Sequence, residues 1–314
     1  MSEKQDIITI GECLIELSTN SKMVNAGCFN KYYGGDSLAT AISALRMGAN
    51  VGFITKVGND PFKDYLIESW KNEGLDISQV KLSEESNGVY IIARPSVDEK
   101  EVVCYRKKTA PSKLCVDDIS EEYMKKSKIF YASGITQSLS PSANEAVEKA
   151  FKIAKENGVT TAYDPNFHPA LMDKDTAKEN FYRVIEYVDI LFMSTKHDTL
   201  MILELDSPEN IIKKLWDMGI QTVILKSDEN KCYYLGYNGN ITVTNFYTTE
   251  YTDTTCSGDA FNGGFLYALT HGFNHSEAVR FASIVAGLQA QGIGAIKSIP
   301  YKDDVYSIYR GNNG

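Results

Sequence analysis

The chain has no run approaching the ~20 consecutive apolar residues that a membrane-spanning helix needs, so no span is expected. Its first residues, Met1-Ser-Glu-Lys-Gln-Asp6, lack the apolar stretch of a signal peptide, and the chain reads as cytoplasmic. Positive charge is in short supply: 32 Lys and Arg stand against 41 Asp and Glu, a net charge of −9. That balance argues against nucleic acid or an anionic membrane surface as the main partner. Cysteine is sparse and scattered. Cys13, Cys28, Cys104, Cys115, Cys232 and Cys256 form no C-x-x-C pair, which suits reduced thiols and leaves no disulfide or zinc site to assign. His271 and His275 are four apart, but Gly272 and Asn274 between them read as a helix end, so surface histidines are expected rather than a metal pair. No G-x-x-x-x-G-K-[ST] pattern is present, which excludes a P-loop. Internal repeats, low-complexity runs and long linkers are also missing.

What is there is concentrated in Asp253-Thr254-Thr255-Cys256-Ser257-Gly258-Asp259-Ala260-Phe261. Thr, Ser and Gly favour caps and turns, and from Asp259 the apolar residues recur at helical spacing, so a loop should feed a helix here. The N–H groups of Cys256, Ser257 and Gly258 would then converge at a positive helix end suited to a phosphate or an oxyanion. A carboxylate repels a phosphate. Asp259 at such a place suggests another task, taking the proton of a hydroxyl that attacks the phosphorus.

At 314 residues with 43% hydrophobic composition, the chain can bury a large core as one α/β domain with an appendage, or as two domains. The apolar segment from Asp6 to Gly11 predicts a central parallel strand. Gly34-Gly35-Asp36 opens a helix closed by Gly48, followed by strand Val51–Thr55 and helix Phe62–Glu73. The paired glycines should let a ligand approach the backbone. Tyr90–Ala93 and Glu101–Arg106 read as a hairpin outside the α/β rhythm, able to form a lid with residues 13–33. From Lys128 to Lys226 strands and helices alternate, which implies a parallel sheet covered on both faces, with ligands at the carboxyl ends of its strands. Gly11, Gly134, Asp164, Ser194 and Lys226 fall at or just past such ends.

The nine-residue stretch resembles the D-T-T-G-[AS]-G-D-[AS]-F signature of the ribokinase-like (PfkB) carbohydrate kinases, and the resemblance covers nearly the whole chain. Gly34-Gly35 with residues 48–62 is similar to that family's N-terminal signature, and Gly294-Ala295 to its adenine-side segment. Tyr105-Arg106-Lys107-Lys108-Thr109-Ala110 and Asp164-Pro165-Asn166-Phe167-His168-Pro169 resemble elements of 2-keto-3-deoxygluconate kinases. The resemblance implies a three-layer α/β sandwich (1–12, 34–87 and 108–314) with a small β lid (13–33 and 88–107). It implies phosphorylation of a sugar or sugar-acid hydroxyl by ATP and Mg²⁺, with a monovalent cation as a further candidate and a homodimer formed through the lid. Asp259 would be the base and Cys256, Ser257 and Gly258 the anion hole. Gly34, Gly35, Asp36, Tyr90, Arg106, Asn166, His168 and Asp259 would hold the sugar, and Ser194, Lys226, Thr254, Gly258 and Ser283 the nucleotide. Arg106, sharing a strand face with Cys104, suits a substrate carboxylate.

Several positions depart from that pattern. Cys256 replaces a Gly, and because a Cβ resists positive φ the loop should run through an ordinary backbone conformation there. Ala39 replaces a sugar-binding Asn, and His168 a second Arg. Ser194-Thr-Lys-His197 replaces N-x-x-E, with Asp198 one residue beyond, and Asp228 and Lys231 stand where glycines face the phosphates. Two alternatives follow: a fructokinase- or ribokinase-like enzyme for a neutral sugar, or a binding protein that has lost phosphoryl transfer. Retention of Asp259 favours an enzyme, since binding alone requires no base.

Overall fold

The computed structural model describes residues 4–96, 99–248 and 250–311; the first three residues of the N-terminus discussed above lie outside that range. Strand β1 (Gln5–Ile10) is buried along its whole length, as a strand between two parallel neighbours must be. It pairs on one side with β4 (Val51–Gly58) and on the other with β8 (Ser127–Ser133), both parallel. Beyond β4 lies β5 (Val80–Ser83). Beyond β8 follow β9 (Thr160–Asp164), β10 (Ile190–Ser194) and β11 (Thr222–Ser227), and then the antiparallel hairpin β12 (Cys232–Tyr237) and β13 (Asn240–Asn245). The nine strands form one sheet in the order β13-β12-β11-β10-β9-β8-β1-β4-β5. Because the chain leaves β1 first to one side and later to the other, the sheet has its switch point at the carboxyl end of β1, beside Gly11 and Glu12, where an open parallel sheet forms a crevice.

Helices cover both faces. α1 (Asp36–Met47) and α2 (Lys63–Glu73) lie on one face. The short α3 (Glu121–Met124) and α4 (Gly134–Ser138), with α5 (Pro141–Glu156), α6 (Lys174–Val184) and α7 (Pro208–Asp217), lie on the other. α8 (Ser257–Thr270), α9 (His275–Gln291) and α10 (Lys302–Gly311) return to the first face. The break between α8 and α9 falls at Gly272-Asn274, as expected. His275 is less of a surface residue than its neighbourhood suggested: its ring stacks on Tyr237 at 3.6 Å and lies 3.2 Å from Thr222 Oγ1.

The second sheet has the order β3-β2-β6-β7 and uses β2 (Leu14–Thr19), β3 (Asn30–Gly34), β6 (Gly88–Ala93) and β7 (Glu101–Tyr105). The β6–β7 hairpin is antiparallel, while β2 and β6 run parallel. Among the described residues no helix is long and apolar enough to cross a membrane.

Candidate active site

α8 is apolar all round and therefore buried, and its position is fixed by α1. Gly263 has no Cβ, and one added there would run into the backbone oxygen of Thr40, so the two helices can touch only because that residue is Gly. At the contact, Thr40 Oγ1 donates to the carbonyl of Asp259 (3.2 Å) and Ser43 Oγ to that of Ala260 (2.7 Å). The small and hydroxylated residues of α1 thus grip the first turn of α8 and set the height of Asp259 against the sheet.

Asp259 lies in that first turn, buried. Asn166 Nδ2 donates to its Oδ1 at 3.2 Å. Desolvation, then the neighbouring Asp36 carboxylate, pushes the Asp259 carboxyl well above the usual range, with Lys226 acting in the opposite sense. Asp36 opens α1 and is itself buried without a well-formed hydrogen bond at either oxygen; burial raises its pKa too. Buried acceptors left in this state are ready for hydroxyl donors.

The anion loop differs from expectation at one atom. Cys256 is not in an ordinary backbone conformation: it caps α8 at φ 64, ψ 13, the left-handed region that favours Gly. Lys231, at another position expected to be Gly, has φ 51. At both sites the backbone is glycine-like although the residue is not. Of the three expected amides, that of Ser257 is donated to Thr254 O at 3.1 Å within the loop itself.

Lys226, at the end of β11, bonds Asp164 Oδ2 (2.7 Å) and Asn262 Oδ1 (3.1 Å), and a Cβ added to Gly258 would stand 3.3 Å from its Nζ. Lys226, Thr254, Ser257, Gly258 and Ser283 line one cavity of about 370 Å³, with Asp228 and Lys231 at its wall. Ser283 also accepts the Tyr247 N–H at 2.8 Å. Ser194 is not among the residues lining that cavity; its Oγ accepts the N–H groups of His197 and Asp198. Asp198 takes the Ser194 and Phe167 N–H groups on its two oxygens, tying the loop after β9 to the end of β10. Burial, then Asp164, raises its pKa to about 6.

On the sugar side the paired glycines are needed for contacts within the chain itself. A Cβ at Gly34 would lie 2.6 Å from the Tyr90 hydroxyl, and one at Gly35 would strike the Glu12 carbonyl, so both make room for the chain's own groups. Gly35 also has φ 146. Ala39 is fully buried and presents nothing to a ligand. Tyr90 donates to Glu16. Arg106 is not on β7 but one residue past its end. Its largely buried guanidinium is paired with the buried Glu12, whereas Cys104 is exposed, so the two do not share an environment. Desolvation lowers the Arg106 pKa to about 10, which leaves it cationic at neutral pH. His168 lies close enough to feel that charge, and desolvation followed by Arg106 lowers its own pKa.

Sequence reasoning missed Glu12, Glu16, Arg94 and Asn262. Two carboxylates inside the otherwise apolar segment Ile10-Gly-Glu-Cys-Leu-Ile-Glu-Leu17 were the available signal. Among the described residues no group of three or more His, Cys, Asp or Glu is arranged to hold a metal.

Residues 4–302 match the pfkB family carbohydrate kinase profile. The chain is 28% identical to a 5-dehydro-2-deoxygluconokinase of Clostridium perfringens over 294 residues, covering 91% of this chain and 87% of the relative. It is 29% identical to a 2-dehydro-3-deoxygluconokinase of Thermoproteus tenax over 301 residues, 94% and 91% of the two. Among solved structures it superposes on an E. coli Ribokinase II in complex with ATP and Mg²⁺ with a TM-score of 0.89 at 24% identity, covering 98% of this chain and 99% of that one. The fold, the buried Asp259 at the head of α8 and the match over nearly all of the chain place it in the pfkB family of carbohydrate kinases.

Proposed function

We propose that the protein transfers the γ-phosphoryl group of ATP to a hydroxyl of a sugar acid, with 2-keto-3-deoxygluconate as the leading substrate and its isomer 5-dehydro-2-deoxygluconate next. The observation that carries the reading is Asp259 itself, buried in the first turn of α8 directly after Ser257 and Gly258 of the 370 Å³ cavity, bonded by Asn166 and close enough to Asp36 to feel its charge. Asp259 takes the proton of the attacking hydroxyl, Asp36 and Asn166 orient the sugar, and Arg106 with His168 faces its carboxylate. The Gly258 amide end of α8 and Lys226 hold the transferring phosphoryl group, while Thr254 and Ser283 line the nucleotide cavity. The cavity volume suits a nucleotide. The oxygens of Asp164 and Asp198 already accept from Lys226, Asn262, Asn166, Phe167 and Ser194, so Mg²⁺ would be held chiefly by the nucleotide's phosphate oxygens and water, and would supply neutralisation of phosphate charge when bound. β7 is an open sheet edge with Val102, Val103 and Tyr105 exposed, which supports pairing with a second copy through the small sheet.

A second reading, a neutral ketose such as fructose, is favoured by the Glu12–Arg106 pair, which already neutralises the cation meant for the acid. A coupled ADP-release assay over sugar acids and neutral sugars decides between them. Turnover of 2-keto-3-deoxygluconate at higher kcat/KM than fructose supports the first reading; the reverse order overturns it. The same assay with and without KCl reads any monovalent-cation requirement.

A further inference from the structure

The small sheet touches the anion loop through a buried charge cluster that no step above uses. Arg94 follows β6, and its backbone N–H bonds Thr19 O at 2.9 Å, fixing it to the end of β2. Its Nη1 donates to Ser18 Oγ at 2.9 Å and lies 3.7 Å from Glu16 Oε1, both on β2. Its Nη2 lies 2.6 Å from Asp253 Oδ2, across the boundary between the sheets. All three charged side chains are buried, Arg94 at 7%, Asp253 at 2% and Glu16 at 0% exposure.

Asp253 is the root of the anion loop. Its Oδ1 accepts both the N–H (3.1 Å) and the hydroxyl (2.6 Å) of Thr255, and its Oδ2 accepts the N–H of Gly294 at 3.3 Å. One carboxylate therefore shapes the turn that leads directly into Cys256, Ser257 and Gly258. Glu16 does not compete on equal terms for Arg94. Tyr90 donates to it, the Ala295 N–H approaches it at 3.4 Å, and burial raises its pKa, which favours the neutral acid. The guanidinium is left chiefly to Asp253. Lys100, one residue before β7, adds a 2.6 Å bond to Thr255 Oγ1. From the other side Gln289 Nε2 donates to Thr255 O at 2.7 Å, so the loop is pinned between α9 and the small sheet.

We propose that Arg94 is a positioning residue for phosphoryl transfer: by pairing with Asp253 it ties the sheet over the sugar crevice to the turn that aims the anion-loop amides. This rests on the kinase reading, but it also makes a claim about the loop itself that can be read without turnover. Three variants separate it from simple stabilisation. Arg94→Ala removes the strap, Arg94→Lys keeps the charge without the fork, and Asp253→Asn keeps an oxygen for Thr255 while removing the charge that Arg94 meets. Should Arg94→Ala fail to fold, the other two carry the test.

In assays well below each variant's melting temperature, with active protein counted by ATP binding, Arg94→Ala and Asp253→Asn are expected to lose kcat by roughly 10- to 100-fold, as a displaced transition-state donor does. KM for ATP should stay within about threefold. Arg94→Lys should recover part of the loss, and the Arg94→Ala/Asp253→Asn double variant should be no worse than the poorer single variant, because both break one connection. Hydrogen exchange should quicken in residues 253–259 in the single variants and leave β8–β11 unchanged. Unchanged kcat per folded molecule, multiplicative losses in the double variant, or exchange that quickens across the whole chain would overturn the proposal. If the parent phosphorylates nothing in the panel, the kinase reading falls by itself, and the localised exchange result still reports on the strap.

Discussion

Asn166 Nδ2 donates to Asp259 Oδ1 at 3.2 Å from a backbone held at φ 48, so the loop after β9 reaches into the site in order to hold one oxygen of the buried carboxylate. The Cys256 thiol is a second side-chain hydrogen-bonding neighbour of the same carboxyl group. In the proposed reaction Asp259, with one oxygen oriented and its pKa raised by burial, would be the base that accepts the hydroxyl proton. Asp259→Asn should therefore lower kcat by roughly 10²- to 10⁴-fold, the usual worth of a general base, while binding of sugar and ATP is retained. Single-turnover rates with calorimetric affinities check this; a variant within about threefold of the parent rate removes Asp259 from the mechanism.

The raised pKa carries a direction in pH. Asp259 must be ionised to act, and burial with the Asp36 charge beside it holds the proton on to higher pH, so kcat/KM should climb with pH through that elevated value. Asp36→Asn removes the nearest like charge. Its acid limb should move to lower pH even if KM for the sugar rises, because the limb reports the free enzyme's base. A pH–kcat/KM profile with an unmoved limb would show that Asp36 does not act on the base electrostatically.

Much of this arrangement was legible in the sequence, for reasons that differ from element to element. β10 could be read because it is a short apolar run, β9 because strand-favouring Thr160, Thr161 and Tyr163 stand between Gly158 and Pro165, and α8 because Thr-Thr-Cys-Ser-Gly gives way to apolar spacing at one place. The partners of the site residues could not be read. Glu12 with Arg106, Arg94 with Asp253, and Lys226 with Asp164 are each joined across long stretches of chain, and no local pattern encodes which buried charge will meet which. Cys256 misled for a different reason. The local preference of a residue with a Cβ is real, but the grip of α1 on the first turn of α8 and the internal bond from Ser257 N to Thr254 O override it.

That override has a measurable cost. A non-Gly residue in the left-handed region costs about 1–2 kcal/mol, and Gly at the same place gives back part of the gain through the freer unfolded chain. Cys256→Gly should thus stabilise the protein by up to about 1 kcal/mol, raising Tm by roughly 2 °C, with kcat within about threefold because the backbone is already glycine-like. Thermal melts and steady-state assays read both. A lower Tm would contradict the strain, and a rise of about tenfold in kcat would mean that the Cys256 side chain obstructs the anion site.

The substrate class turns on Arg106, and its contact with Glu12 sharpens the test. Both oxygens of Glu12 are buried and Arg106 is their charged neighbour, so a sugar carboxylate can use that guanidinium only by sharing it with, or displacing, the protein's own acid. A pair of this kind, desolvated under the small sheet, is worth a few kcal/mol to a bound acid and little to a neutral sugar. Arg106→Ala should raise KM for 2-keto-3-deoxygluconate at least about tenfold and change that for fructose much less. Glu12→Gln releases the guanidinium from its internal partner, so it should lower KM for the sugar acid while leaving the neutral sugar nearly unaffected. The two variants pull in opposite directions on one substrate, which general damage to the crevice cannot do. If Arg106→Ala weakens both sugars equally and Glu12→Gln weakens the acid, then Glu12 and Arg106 serve only to brace the end of β7 against β1, and the substrate is a neutral polyol recognised by Asp36 and Asn166.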